Sequence, residues 1–150
     1  MSDKTLFEKI AEGTIPSRKI WEDEIYLAFL TPWPNTPGMT LVIPKKNPGA
    51  YVFDMDDQAI AGLMSAAKKV AKLLQTALGF ERVAVVFEGE AVPHVHVKLY
   101  PMHGMTDDRS NFPKQRPFFP KYPGYIQTSD GPQMSDEELD AIQQKIKEAA

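Results

Sequence analysis

Residues 92–99 constrain the fold more than any other part of the sequence, because apolar and polar residues alternate along them. A period of two is typical of a β-strand with one apolar and one polar face. The pattern predicts that one set of alternate residues enters the core and that the other set shares the opposite face. The predicted core set is Val95, Val97 and Leu99. The opposite set is His94, His96 and Lys98.

The residues before this strand predict a hairpin and a long helix. The apolar run 83–87 reads as a buried strand, and Glu88-Gly89-Glu90 reads as a tight turn that leads into residues 92–99. Between Asp56 and Gly79, apolar residues recur at helical spacing after an acidic start and before a terminal glycine. The predicted apolar face of this helix consists of Ile60, Leu63, Met64, Ala67, Val70, Leu74 and Leu78.

Shorter elements are predicted nearer the N-terminus. Leu6, Phe7 and Ile10 lie at helical spacing, and Gly13 ends that short helix. The prolines within residues 31–38 cannot donate to a strand ladder, so this segment is expected to be irregular. Short apolar strands are predicted at 20–21, 25–29 and 39–43.

The C-terminal third differs in character. Residues 101–134 are rich in proline, glycine and aromatic residues, and so many aromatic side chains are not expected to face water. We expect an ordered arm that lies across the protein body or across a partner subunit. Ser135 and Glu138 form a capping box that begins a terminal helix. The apolar stripe of that helix is Leu139, Ile142 and Ile146.

Composition excludes several classes of protein. A chain of 150 residues is expected to form a single domain, 1–150, with its core at about 5–102 and the arm and terminal helix in 103–150. The absence of cysteine excludes disulfides and thiolate metal sites, and a net charge of −3 gives no general attraction for nucleic acid or membrane. No stretch approaches the ~18 apolar residues of a membrane span. Since the N-terminus also lacks an apolar secretion segment, we expect a cytoplasmic protein.

The row of His94, His96 and Lys98 has three interpretations. It fits an ordinary half-buried strand. Two histidines on one strand face can also bind a metal with a third ligand from elsewhere, such as His103, although the lysine would repel a cation. A neutral imidazole can instead attack phosphorus, while a neighbouring ammonium stabilises negative charge on the phosphoryl oxygens. Charge favours an anion site over a metal site.

This motif resembles the signature of the histidine triad family, in which three histidines alternate with apolar residues. Lys98 stands in the place of the third histidine. The resemblance continues upstream in fixed order and covers about residues 5–102. The similar segments are 6–10, 15–17, 21–23, 27–29, 37–38, 41–46 and the 56–79 helix.

The resemblance implies an α+β fold with an antiparallel meander sheet and two main helices, paired as a homodimer. It implies that His96 attacks the α-phosphorus of a purine nucleotide adduct, such as a dinucleoside polyphosphate or a nucleoside phosphoramidate. The resulting nucleotidyl-histidine then passes its nucleotide to water or to another acceptor. His94 would orient the site by hydrogen bonding, and no cofactor or metal is expected.

The resemblance also implies a nucleotide pocket, from which this sequence departs at several positions. Thr31 stands where the family usually has Asp or Asn to hold the ribose hydroxyls. Glu90 and Ala91 replace a longer phosphate-binding loop, so we expect Lys98 to bind phosphate and to pair with Glu90 in the empty site. His103 lies close enough in sequence to join the phosphate region. The alternative function is a catalytically weak nucleotide-binding module. The implied apolar pocket consists of Leu6, Phe7, Ile10, Phe29 and Leu30.

Overall fold

The computed structural model describes residues 4–105 and 133–149. Within these ranges the chain forms three α-helices, five β-strands and one short 3-10 helix, Val52–Asp54. The helices are α1 (Leu6–Ala11), α2 (Asp57–Leu78) and α3 (Asp136–Glu148). The strands are β1 (Arg18–Glu22), β2 (Tyr26–Leu30), β3 (Thr40–Pro44), β4 (Val83–Glu88) and β5 (His96–Pro101).

The five strands form one antiparallel sheet in the order β1-β2-β3-β5-β4. The first three strands follow one another as a meander. After α2 the chain enters the edge strand β4 and returns as β5, which lies between β3 and β4. The α+β class with an antiparallel sheet is therefore confirmed. Strand β5 carries His96 and Lys98, which belong to the site described below.

The two faces of the sheet bury different clusters. On one face, α2 and α3 pack over a core that includes Val97 and Leu99. On the other face, α1 packs over a smaller cluster. Lys98 pairs with Leu41 and Leu41 pairs with Phe29, so this second face also carries Lys98. The smaller cluster consists of Phe7, Ile10, Leu27, Phe29, Leu41 and Ile43.

The long helix begins and ends where its capping residues predict. The Asp56 side chain accepts a hydrogen bond from the Ala59 amide, and Gly79 adopts a left-handed φ of 69° that only glycine reaches without strain. The predicted apolar face is wrong at Met64, whose side chain is 43% exposed. Ala66 and Ala77 are buried instead, because the small side chains let α2 approach the sheet. The buried residues of α2 are Leu63, Ala66, Ala67, Val70, Leu74 and Ala77.

The predicted tight turn at 88–90 is wrong. Glu88 is the last residue of β4 and pairs with His96, the first residue of β5, so residues 89–95 form a longer connection. The backbone of this connection pairs elsewhere, since the Val95 amide donates to the Gly49 carbonyl over 2.8 Å. The prediction that β4 is buried is also wrong, because β4 is an edge strand and Val85 is 41% exposed.

The terminal helix is confirmed, with its predicted capping box at Ser135 and with Leu139 and Ile146 buried. Most of the predicted arm, residues 106–132, lies outside the described residues. Within 4–105 and 133–149, no helix is long and apolar enough to cross a membrane.

Candidate functional site

A cavity of about 250 Å³ lies between α1 and the sheet face that carries Lys98. Its walls are mostly apolar, with a few polar and charged residues among them. All the predicted pocket residues line it: Leu6, Phe7, Ile10, Phe29, Leu30 and Thr31. The predicted His96, Lys98 and Ala91 line it as well. The remaining lining residues are Ile15, Pro16, Ser17, Arg18, Pro32, Trp33, Leu41, Glu88 and Val92.

His96 is held in one tautomer. Its Nδ1 lies 2.9 Å from the His94 carbonyl oxygen, and since a carbonyl only accepts, Nδ1 carries the proton and donates. In the neutral ring the lone pair is then on Nε2. Burial is the largest influence on His96 and lowers its pKa, and the nearby Lys98 ammonium lowers it further. His96 is therefore a neutral imidazole with a defined nucleophilic nitrogen at neutral pH.

His94 and His96 lie on the same side of the sheet, as predicted, because both rings pack edge-on against Phe7 of α1 with centroids 5.5 and 4.9 Å away. Unlike His96, His94 is not part of the strand. It precedes β5 in the 89–95 connection, is fully buried, and does not line the cavity. Its Nε2–H donates to the Pro44 carbonyl over 2.9 Å, which leaves Nδ1 to accept from the Thr5 hydroxyl, also over 2.9 Å. Burial lowers the pKa of His94. The His94 backbone carbonyl accepts the hydrogen bond from the His96 ring, while the His94 ring links the end of β3 to the start of α1.

The Thr5 bond matters because Thr5 is also the N-cap of α1. Its side chain accepts from the Glu8 amide, and the Glu8 side chain accepts in turn from the Thr5 amide. A helix of six residues is too short to be stable alone. The cap and the bond to His94 therefore fix the helix whose Phe7 ring packs edge-on against His96, with ring centroids 4.9 Å apart.

The expected partner of Lys98 is corrected. Lys98 Nζ lies 2.8 Å from Glu88 Oε2, and both residues line the cavity. Glu90 is exposed, does not line the cavity and lies beyond the end of β4. The error follows from the misplaced turn, because in the true register residues 86 and 88 share the face of His96 and Lys98.

The structure does not bring His103 to the cavity. His103 follows the C-terminal end of β5, whereas His96 begins that strand. Its Nε2–H donates to the Pro37 carbonyl over 2.9 Å, and its ring packs against Phe80 with centroids 5.0 Å apart. No set of three His, Cys, Asp or Glu residues within the described ranges is placed to hold a metal ion. The described residues therefore give the metal interpretation no third ligand.

Comparison with known proteins shows similarity in both sequence and fold. A family model described as HIT domain matches residues 12–105. The Bacillus subtilis protein named Protein hit is 33% identical over 113 residues, covering 71% of this chain and 76% of its own. The adenosine 5'-monophosphoramidase of Schizosaccharomyces pombe is 35% identical over 101 residues, covering 64% and 72%. The crystal structure of a Hit-like protein from Bartonella henselae superposes with a TM-score of 0.70 at 27% identity, covering 98% and 96%.

Proposed function

Because the chain belongs to the HIT domain family, we propose that it is a nucleotide hydrolase or nucleotidyl transferase that cleaves purine nucleotide adducts at the α-phosphate. The proposed substrates are dinucleoside polyphosphates or nucleoside phosphoramidates. The Schizosaccharomyces pombe relative, named as an adenosine 5'-monophosphoramidase, supports the second class. The observation that carries the proposal is the hydrogen bond from His96 Nδ1 to the His94 carbonyl, which leaves the Nε2 lone pair for attack.

The proposed reaction proceeds in two displacements at phosphorus. The Nε2 lone pair of His96 forms a bond to the α-phosphorus, and the bond from phosphorus to the leaving group breaks, with the leaving group taking the electron pair and then a proton from solvent water. The ring then carries positive charge, which the His94 carbonyl stabilises through the Nδ1–H bond. Water or another acceptor attacks phosphorus next, and the P–N electron pair returns to Nε2.

The cavity supplies binding and charge stabilisation for both displacements. The Lys98 ammonium lies on the His96 face of β5, so it is placed to stabilise the negative charge that spreads over the phosphoryl oxygens. The apolar wall formed by α1 and β2 suits a purine ring, which is flat and buries mainly apolar surface. No step of this chemistry needs a cofactor.

The pairing of Lys98 with Glu88 favours a second candidate, a nucleotide-binding module with weak turnover. A carboxylate in the phosphate region repels an entering phosphate and holds the cation that would otherwise stabilise the transition state. Both candidates share the pocket, and they differ in whether the nucleotide is transferred to His96.

Replacement of His96 tests the proposal. His96→Ala should abolish release of adenosine monophosphate from an adenosine phosphoramidate while leaving the affinity for adenosine monophosphate within a few-fold, because the apolar wall and Lys98 supply most of the binding. His103→Ala is the matched control, since it removes a histidine that does not line the cavity. Equal turnover in wild type and His96→Ala would contradict the nucleophile assignment, and a wild type that binds but never turns over would establish the second candidate.

We also propose that the protein is a homodimer. The family resemblance supports this, as does the position of β4 at the edge of the sheet with Val85 exposed. An uncovered edge strand offers backbone groups to a second chain.

A further inference from the structure

The Ser17 hydroxyl is buried without a hydrogen-bond partner. Among the residues that the structure describes, it is the one buried side-chain oxygen or nitrogen of which this is true. Buried hydroxyl groups are nearly always paired, because loss of their bonds to water is otherwise uncompensated. Ser17 also lines the cavity that holds His96. A hydroxyl that is unsatisfied in the empty protein, in a residue that lines a ligand cavity, can bond to the ligand after rotation about the Cα–Cβ bond.

The backbone around Ser17 is fixed, so the hydroxyl cannot easily find another partner. Arg18 Nε and Nη2 donate to Asp140 and Asp136 of α3 over 2.8 and 2.7 Å. The Gln143 side chain donates to the Lys19 carbonyl over 2.8 Å. The terminal helix therefore holds the start of β1 in place, and with it the backbone of Ser17 at the cavity wall.

The sheet register places Ser17 far from His96. Arg18 pairs with Leu30, so Ser17 lies one residue beyond the last pair of β1 and β2. Strand β1 lies three strand spacings away from β5, and Ser17 is also displaced from His96 along the strand direction. Together these displacements separate the Cα atoms of Ser17 and His96 by on the order of 20 Å. A nucleotide whose α-phosphorus contacts His96 reaches that distance with the outer edge of its base rather than with its ribose.

Resting on the function proposed above, we propose that Ser17 Oγ hydrogen-bonds the polar outer edge of the purine base, at its 6-substituent or at N1. Apart from Arg18 and Thr31, the cavity wall near Ser17 is apolar and includes Ile15, Phe29 and Trp33. A base edge that left water without a partner there would lose binding free energy. A hydroxyl both donates and accepts, so Ser17 serves an amino or an oxo group at the 6-position. It is a specificity-determining residue for purines that carry such an edge.

Binding of four ligands to Ser17→Ala and wild type, measured by calorimetry, tests this proposal. The ligands are adenosine monophosphate, its 2'-deoxy analogue, its 1-deaza analogue, and the analogue without the 6-amino group. Ser17→Ala should weaken binding of adenosine monophosphate and of its 2'-deoxy analogue by roughly 2- to 10-fold, the size of one neutral hydrogen bond. For at least one of the two base analogues, Ser17→Ala and wild type should bind with nearly equal affinity, because the group that Ser17 would bond is already absent from the ligand. Ser65→Ala, the same substitution on the exposed face of α2, is the control.

A second measurement separates binding from folding. Since the hydroxyl has no partner in the empty protein, Ser17→Ala should leave the melting temperature unchanged or raise it. A lower melting temperature with equal affinity losses for all four ligands would mean that the hydroxyl supports the fold, and the proposal would be wrong. It would also be wrong if affinity did not change, or if the loss disappeared only with the 2'-deoxy analogue. A wild type that binds no adenosine monophosphate would overturn the proposed function as well, whereas the other adverse results leave that function intact.

Discussion

Removal of the Glu88 charge should weaken the fold and strengthen phosphate binding at the same time. In Glu88→Gln the side chain keeps its shape, but Lys98 loses a carboxylate that lies 2.8 Å from its Nζ. The Lys98 side chain is 9% exposed and that of Glu88 is 21% exposed, so the pair is mostly but not fully withdrawn from water. Glu90→Gln is the matched control, because Glu90 is exposed and does not line the cavity.

The stability change follows from this degree of burial. Exposed ion pairs contribute about 0–1 kcal/mol, whereas loss of one member of a fully buried pair costs about 3–5 kcal/mol. For a pair of intermediate exposure we expect Glu88→Gln to lower the free energy of unfolding by about 2 kcal/mol, or the melting temperature by roughly 4–8 °C in a domain of this size. Chemical denaturation at pH 7 measures it. Glu90→Gln should change stability by less than about 0.5 kcal/mol.

The affinity change has the opposite sign. A phosphate oxygen bound at Lys98 lies about 6 Å from the Glu88 carboxylate, and two unit charges at that distance repel by about 0.7–2.8 kcal/mol for dielectric constants between 80 and 20. Solvent reaches Glu88, so we take about 1 kcal/mol, a gain of roughly fivefold in affinity for adenosine monophosphate. Calorimetry at low ionic strength measures this gain. If Glu88→Gln and Glu90→Gln behave alike in both stability and affinity, the assignment of Glu88 as the partner of Lys98 in the phosphate region is refuted.

Three further predictions concern pH, the 89–95 connection and assembly. Burial lowers the pKa values of His94 and His96 below 6.5, so below pH 6.5 the unfolded chain binds more protons than the folded one. Denaturation curves measured between pH 8 and pH 5 should therefore show that the free energy of unfolding decreases as the pH is lowered. The acid limb of kcat/KM should lie below pH 6.5. A stability that does not change with pH would contradict neutral buried rings. Gly89→Ala places a methyl group against the Ala50 carbonyl, which should lower the free energy of unfolding by about 1–3 kcal/mol and weaken nucleotide binding. Gly13→Ala has open space around it and only the strain of a left-handed φ of 81°, so it should leave nucleotide binding unchanged. Light scattering at micromolar concentration should report twice the mass of one chain, and a fully active monomer would exclude the dimer.

Local signals in the sequence were sufficient for the limits of the helices and for the alternation of residues in β5. Asp56 and Gly79 cap α2 through bonds and backbone angles that involve only neighbouring residues, so its limits follow from sequence. The period of two in β5 also follows from sequence, which is why Val97 and Leu99 were correctly placed in the core. The pocket residues of α1 and β2 were found through the family resemblance, and the structure places them along one cavity.

Only the tertiary structure decided which charged and polar groups meet. The partner of Lys98 depends on where β4 ends, and the Glu88-Gly89-Glu90 segment carries no local signal that separates a strand end from a tight turn. The end of β4 is set by the 89–95 connection, in which the Val95 amide donates to the Gly49 carbonyl. Arg18, next to Ser17, is likewise held by α3, which lies more than 115 residues away in sequence. Helix caps and strand periods act over a few residues, whereas strand register and side-chain burial are set by segments that meet only when the chain has folded.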